Sequence, residues 1–364
     1  MNVLLLTDKL IVGGAETYFC KLENHLAHRN LTFYYGAAEG ELQSRLLHQD
    51  KFVKLTRHSH RRNYRTLSRF IKKHAIKVIH ANSLRMLGYG ILLKHFCKWD
   101  IQLIYTKHNV TILEKKMPFL FTKLLNAYVK RIITVSQFER DSLVMLGVNP
   151  QRIQTIHNGV DLQQFPLKKA GQASPIHVGI LARLSDEKNH ELFIEIAEKM
   201  KDDKLFRFFI GGDGPEKDHL QQLITHKRLD DHVVMCGEIK DPEAFIKDMD
   251  VTLVTSKREV FPMVVIESMA VGTPVVSIDR GGIKEAVRDG VTGHLIPRHS
   301  ADLFKEKITQ LFSNPRLKSH IVKNSRERVE QDFSLDQMVK KTLQEYLFIA
   351  EETKKFSSVV LNKE

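Results

Sequence analysis

The sequence predicts two doubly wound α/β domains within one chain of 364 residues. Short β-rich apolar runs alternate with helical stretches, the series restarts once, and the restart follows a segment of linker composition. The first series runs Val3–Leu6, Phe33–Ala37, Val78–Ala81, Leu103–Thr106, Ile132–Val135 and Ile153–Ile156. The second runs Ile176–Leu181, Phe206–Ile210, Val233–Cys236, Val251–Thr255, Val275–Ile278 and His294–Ile296. Continuous apolar runs of this length suit parallel strands covered on both faces. Between the series, Phe165 to Pro175 has the Pro, Gly and Ser content of a linker, which predicts a domain at 1–165, a linker at 166–175 and a domain at 176–334. After Asn314-Pro315 the chain turns helical, with Ser334 capping a helix over Leu335–Thr353 inside a terminal segment 335–364 whose residues from 356 onward are expected to fray.

Composition narrows the class. A hydrophobic content of 42% with 27% charge describes a globular chain and excludes disordered and fibrous ones. No apolar run approaches the ~18 residues that span a bilayer, and Val3–Leu6 is too short, and lacks the basic flank, for a signal peptide. Cys20, Cys97 and Cys236 are odd in number and far apart, so a reducing cytoplasm fits and structural zinc does not.

The net charge of +13 is unevenly placed, because residues 1–165 carry 25 Lys and Arg against 11 Asp and Glu. One basic group runs Arg57, Arg61, Arg62, Arg65, Arg69, Lys72, Lys73 and Lys77; another runs Lys94, Lys98, Lys115, Lys116, Lys123, Lys130 and Arg131. Any single run reads equally as a solvated helix face, but a bias across a whole domain suits an anionic membrane surface. Met117–Phe121, apolar between basic groups, reads either as the start of a membrane-touching helix or as core. No nucleic-acid motif accompanies the charge, so nucleic acid is not expected as a partner.

The richest chemistry lies at Glu259 and Glu267, eight positions apart in a predicted strand, loop and helix starting near Met263. Both acids fall near the carboxyl end of one strand, where open α/β sheets bind ligands. A carboxylate there can accept two hydrogen bonds from a vicinal diol, the group that sugars and ribose offer. Arg183 and Lys188 follow another strand and can hold a diphosphate, while Gly13-Gly14 after the first strand lets backbone amides approach one closely. Gly212-Asp213-Gly214-Pro215 and Asn158-Gly159-Val160-Asp161 read as tight turns needing positive φ, and Gly281-Gly282 with Glu285 as a glycine-rich loop before a helix. Asp248-Met249-Asp250 has the spacing of a metal motif but precedes its strand, so a structural reading is preferred and no metal is expected.

Taken in order and spacing, these elements resemble the retaining glycosyltransferases of family 4. The resemblance rests on Gly13-Gly14-Ala15-Glu16, His108, Asn158-Gly159-Val160-Asp161, Gly179-x3-Arg183-Leu184-x2-Glu187-Lys188, Gly211-Gly212-Asp213-Gly214-Pro215, Glu259-x7-Glu267 and Gly281-Gly282-x2-Glu285. It implies a GT-B architecture, two Rossmann-like domains facing across a cleft with a terminal helix crossing back to the first. It also implies Arg183 and Lys188 on the donor diphosphate, Glu267 on the ribose, Glu259 on the transferred sugar and His108 beside that sugar. Family members often place glycine shortly after the first glutamate, where this chain has Pro262, which has no N–H; the amides of Phe261, Met263 and Val264 are left to reach sugar hydroxyls. Lys107 either adds charge near His108 or points to solvent.

The expectation is therefore a retaining, metal-independent transfer of a hexose or N-acetylhexosamine from a nucleotide diphosphate sugar to a lipid-linked or polysaccharide precursor at the inner face of the membrane. UDP-sugars are expected ahead of GDP-mannose on family frequency, with no cofactor. A sugar-nucleotide epimerase of the same fold and a catalytically silent binder are the alternatives, opposed by the basic first domain and by the intact set of site residues.

Overall fold

A computed structural model describes residues 1–97, 99–169 and 174–361, without the side chains of 353–361. Lys98, the linker residues 170–173 and the last three residues lie outside the described set. The chain forms two compact units, Met1–Asn158 together with the segment from Asp336 onward, and Gly159–Leu335.

In the first unit the strands are β1 (Asn2–Lys9), β2 (Thr32–Ala38), β3 (Phe52–Leu55), β4 (Ile76–Ala81), β5 (Gln102–Lys107), β6 (Val129–Thr134) and β7 (Ile153–Thr155). They form one parallel sheet in the order β3-β2-β1-β4-β5-β6-β7. The helices are α1 (Gly14–His25), α2 (His60–Lys73), α3 (Leu84–Cys97), α4 (Ile112–Lys116), α5 (Pro118–Tyr128) and α6 (Gln137–Met145). Val3, Leu4, Leu5 and Leu6 on β1 are at most 2% exposed, as expected of a central strand covered on both faces. The strand order reverses between β1 and β4, which makes their carboxyl ends the place where a ligand crevice forms in such sheets.

The edge strand β3 was not anticipated from the sequence. Its four residues, Phe-Val-Lys-Leu, alternate in burial and carry a lysine, a weak signal beside the continuous runs. The C-terminal helix Leu335–Leu361 extends eight residues past the expected end, through a stretch without Gly or Pro to stop it. It sends Tyr346, fully buried, to hydrogen-bond His80 Nδ1 at 2.6 Å, while His80 Nε2 meets Thr106 Oγ1 at 2.6 Å.

In the second unit, β8 (Ile176–Leu181), β9 (Phe206–Gly211), β10 (Val233–Gly237), β11 (Val251–Val254), β12 (Val275–Ile278) and β13 (His294–Ile296) form a parallel sheet ordered β10-β9-β8-β11-β12-β13. Helices α7 (His190–Lys199), α8 (Lys217–His226), α9 (Pro242–Asp248), α10 (Met263–Val271), α11 (Ile283–Ala286), α12 (Ala301–Ser313) and α13 (Pro315–Asp332) complete it. Here the order reverses between β8 and β11.

Two turn readings are corrected. Gly159 does not have positive φ; it is small because a Cβ there would sit 2.7 Å from Leu335 Cα, where Val160 N–H donates to Phe333 O and Leu335 N–H to Val160 O, both at 2.9 Å. Gly214 likewise lacks positive φ, whereas Gly212 (φ 139) has it. Asp250 is structural: its Oδ2 accepts from His177 N–H at 2.9 Å, and Met249 packs where a Cβ on Gly179 would fall.

Candidate functional site

In the second unit the predicted residues converge on the carboxyl ends of β8 and β11. Lys188 Nζ donates to Glu259 Oε1 at 2.7 Å, and Ser256 Oγ donates to the same oxygen at 2.7 Å. Glu259 is only 8% exposed, so a charged and a neutral donor on one oxygen offset its lost hydration.

The alignment of these two groups is set by a backbone-level zipper between residues 186–189 and 255–257. Thr255 Oγ1 lies 3.1 Å from Lys188 O and 2.9 Å from Asn189 O, Asn189 Nδ2 donates to Thr255 O at 3.3 Å, and Lys257 N–H donates to Glu187 O at 2.8 Å. Asn189 adopts the left-handed conformation (φ 53) that turns the chain from Lys188 into α7. Asparagine tolerates that region better than most residues. The sequence reading missed Ser256, Thr255 and Asn189, whose polar side chains in a strand–loop junction were the only signal.

Arg183 is exposed and makes no ion pair among the described residues. Its neighbours are fixed by the glycine loop: Ala182 N–H donates to Gly211 O and Leu184 N–H to Asp213 O, both at 3.0 Å. A Cβ on Gly212 would lie 2.0 Å from Ala182 O, and one on Gly214 would lie 2.2 Å from Leu184 O. The Gly211–Gly214 motif thus presents Arg183 by close backbone packing, so its glycines serve the site rather than a turn alone.

Gly281 (φ 60) does the same for Glu259, since a Cβ there would fall 1.7 Å from the Glu259 carbonyl oxygen, and Gly282 N–H donates to Val260 O at 3.1 Å. Beyond that loop, Pro262 caps α10, and helix geometry leaves the Met263 and Val264 amides without a carbonyl partner inside the helix. Phe261 turns its ring inward against Phe333, centroids 5.4 Å apart. Glu267 lies partly buried in the second turn of α10.

The first unit brings together Gly13, Gly14 and His108. Gly13 caps α1 in an extended conformation (φ 179), and a Cβ on it would lie 2.5 Å from Glu16 Oε2; a Cβ on Gly14 would meet open space. His108 follows β5 and its Nε2 lies 2.6 Å from Asn82 Oδ1, while Tyr18 packs edge-on against the ring at 4.8 Å. Burial holds the His108 imidazole down to about 3, so it is neutral at physiological pH.

Lys107 neither faces solvent nor adds free charge beside His108. It is fully buried, with Nζ bonded to Glu139 and 3.0 Å from Glu114 Oε2, tying the end of β5 to α4 and α6. A lysine in an apolar run, with acids seven and 32 positions on, gave no local signal of this triple. Among the described residues no group of three or more His, Cys, Asp or Glu is arranged to hold a metal ion.

The basic helix α2 exposes Arg61, Arg62, Arg65, Arg69, Lys72 and Lys73, none with an acidic partner among the described residues. The Met117–Phe121 segment divides between its two readings: Phe121 is core, whereas Met117 is 52% and Phe119 82% exposed. No helix among the described residues is long and apolar enough to cross a membrane.

Comparison with known proteins agrees with this layout. Residues 12–164 match the profile of Glycosyltransferase Family 4, and residues 167–328 match that of Glycosyl transferases group 1. WcaL of Escherichia coli K12, assigned by name to colanic acid biosynthesis as a glycosyltransferase, is 31% identical over 56% of this chain and 53% of its own length. The poly(ribitol-phosphate) alpha-N-acetylglucosaminyltransferase of Staphylococcus aureus is 27% identical over 73% of this chain and 52% of its own length. The chain therefore spans about half the length of these curated relatives. Among solved structures, Anabaena HepE in complex with UDP-glucose superposes with a TM-score of 0.83 at 21% identity, covering 95% of this chain and 99% of that one. With both halves matched in sequence and the whole fold matched in structure, the chain belongs to the group 1 glycosyl transferases and has their two-domain GT-B fold.

Proposed function

We propose that the protein transfers a hexose or N-acetylhexosamine from a nucleotide diphosphate sugar to a lipid-linked or polysaccharide-precursor acceptor, with retention of anomeric configuration and without a metal. The observation that carries this reading is the Lys188–Glu259 pair, held at 2.7 Å in the loop that leads into the N-terminus of α10, with Arg183 exposed after β8. A diphosphate leaving group gains negative charge as the glycosidic bond breaks. Arg183, Lys188 and the amides of Met263 and Val264 are cationic or donor groups suited to stabilise that charge. Glu259 is assigned to the hydroxyls of the transferred sugar and Glu267 to the ribose. In the first unit, Gly13 and Gly14 are assigned to donor approach and His108 to a sugar hydroxyl.

Retention follows from family likeness. Its proposed route needs no protein nucleophile, because the leaving β-phosphate oxygen can take the proton of the incoming hydroxyl on the same face of the sugar. A UDP-sugar is favoured over GDP-mannose, a choice supported by the HepE complex. The acceptor class is supported by the names of WcaL and the S. aureus relative. The basic face of α2, without acidic partners among the described residues, and the exposed Ile112, Met117 and Phe119 support a location on the inner face of an anionic membrane.

A thermal-shift screen against UDP, GDP and ADP, followed by product analysis with and without EDTA, tests the reading. Stabilisation by UDP should approach ~2.7 kcal/mol at 100 times the dissociation constant. Transfer should survive chelation. Loss of activity in EDTA with recovery on adding magnesium or manganese would reject the metal-free site, and full interconversion of donor without acceptor would favour an epimerase.

A further inference from the structure

The hydrogen bonds around His108 fix more than its position. Asn82, which follows β4 and is 6% exposed, donates from Nδ2 to the carbonyl of Ala15 at 2.7 Å in the first turn of α1. A carbonyl oxygen only accepts, so the amide cannot be flipped without losing that bond. Its Oδ1 therefore faces His108 Nε2 at 2.6 Å, and since Oδ1 also only accepts, Nε2 must carry the hydrogen. A neutral imidazole has one N–H, which leaves Nδ1 with a bare lone pair.

We propose that Asn82 is a positioning residue that locks His108 in the Nε2–H tautomer, so that Nδ1 serves as a hydrogen-bond acceptor for a ligand hydroxyl. It rests on the function proposed above, in which that hydroxyl belongs to the transferred sugar. The same amide links His108 to the Gly13-Gly14 turn through Ala15, so the acceptor atom and the turn keep a fixed relation. Tyr18, edge-on to the ring at 4.8 Å, opposes its rotation. The charged groups beyond the strand do not approach His108: Lys107 turns away into Glu114 and Glu139, and the neighbouring His80 is spent on Tyr346 and Thr106.

The test has a readout independent of activity. In protein labelled with nitrogen-15 at histidine, two-bond couplings report which ring nitrogen is protonated, and comparison with His108→Gln identifies the signal among the 18 histidines. Wild-type His108 should stay in the neutral Nε2–H form from about pH 6 upward, through the region of about 6.5 where an ordinary imidazole changes charge. Asn82→Ala should convert it to a mixture of tautomers and lower kcat/KM about tenfold, the effect of losing one oriented hydrogen bond.

Asn82→Asp gives a signature that a merely structural role would not. Its carboxylate keeps an acceptor at Nε2–H but favours the imidazolium, so activity should fall away in mild acid, at a higher pH than in the wild type, and recover as pH rises and Nδ1 regains its lone pair. Asn82→Ala should show no such recovery. An Nδ1–H tautomer in the wild type, or an unchanged tautomer in Asn82→Ala, would overturn the proposal. Correct tautomers in a protein that transfers no sugar would instead reject the function and leave the lock standing.

Discussion

Lys188 Nζ and Glu259 Oε1 lie 2.7 Å apart although 71 positions separate them in the chain, and each belongs to a loop leaving a different strand of the second sheet. Glu259 is largely shielded from water while the Lys188 side chain is 26% exposed, so the buried carboxylate has a charged partner that still meets solvent. Replacing Lys188 by Met should cost about 1–3 kcal/mol in stability, because it leaves that carboxylate without its charged partner. It should also weaken UDP binding. Thermal melts with and without UDP separate the two effects; a variant as stable as wild type with full affinity would show the contact to be incidental.

The two glutamates should divide their work. Glu267→Ala is expected to lower nucleotide affinity, and Glu259→Ala mainly to slow turnover, because one is assigned to the ribose and the other to the reacting sugar. Calorimetric titration with UDP beside steady-state kinetics checks this. Equal losses of UDP affinity in both variants would contradict the division.

Much of this geometry was legible because parallel sheets advertise themselves. The continuous runs at Val3–Leu6 and Val251–Thr255 marked central strands, and the candidate site loops follow from strand order at their carboxyl ends. What escaped were side chains whose partners are distant in sequence. Asn82 reads as an ordinary residue after a strand until Ala15 and His108 close on it from 67 and 26 positions away. Lys107 was left between solvent and site because nothing near it in sequence announces Glu139. The glycine motifs were visible, but their reason was misassigned: Gly214 and Gly159 are needed for close backbone approach, which depends on a second segment and has no local signature.

Gly281→Ala provides a direct probe of that packing. The substitution meets both a left-handed φ of 60° and the Glu259 carbonyl 1.7 Å from the new Cβ, so the Glu259 loop must move. Stability should fall by about 1–3 kcal/mol, with a larger fractional loss of transfer than of UDP affinity. Gly290→Ala is the control, with a similar φ of 71° but open space around its Cβ. It should share the modest backbone cost and keep activity. Equal kinetic loss in both variants would remove the special role of Gly281.

Three histidines make stability sensitive to mild acid. Burial pushes His80 and His108 down to about 3 and His190 to about 4, and the ring nitrogens of His190 have no hydrogen-bond partner among the described residues. All three are neutral in the fold and protonate in the unfolded chain below about 6.5, so the unfolded state binds more protons between roughly pH 4 and 6.5. Stability is therefore complete above that window and lost as pH falls through it, by about 1.4 kcal/mol per pH unit for each histidine. Denaturant melts at pH 7.5 and 5.0 measure the slope. Replacing His80 by Gln should reduce proton uptake on unfolding at pH 5 by about one; an unchanged slope would show that His80 charges within the fold.

The last prediction concerns the basic face of the first unit. Arg61, Arg62, Arg65 and Arg69 are exposed on α2 without acidic partners among the described residues, and a second surface sets exposed Ile112, Met117 and Phe119 among Lys115, Lys116 and Lys123. If these dock an anionic bilayer, charge and apolar insertion should be separable. Replacing the four arginines by Gln should weaken binding to phosphatidylglycerol vesicles roughly tenfold or more at low salt, since each basic group near such a surface contributes about 1 kcal/mol. The difference should shrink at high salt, as the Debye length falls from about 10 Å at 0.1 M to about 3 Å at 1 M. Phe119→Ser should instead remove the part of binding that salt leaves behind. Neither change should alter UDP affinity, because none of the five changed residues is among those assigned to the donor, and Arg183, Lys188, Glu259 and Glu267 belong to the other compact unit. Cosedimentation across a salt series, paired with transfer to a lipid-linked and to a water-soluble acceptor, reads every arm. Vesicle binding absent at low salt, or lipid-acceptor transfer indifferent to all five substitutions, would return the basic residues to solvated helix faces and make a soluble acceptor the better assignment.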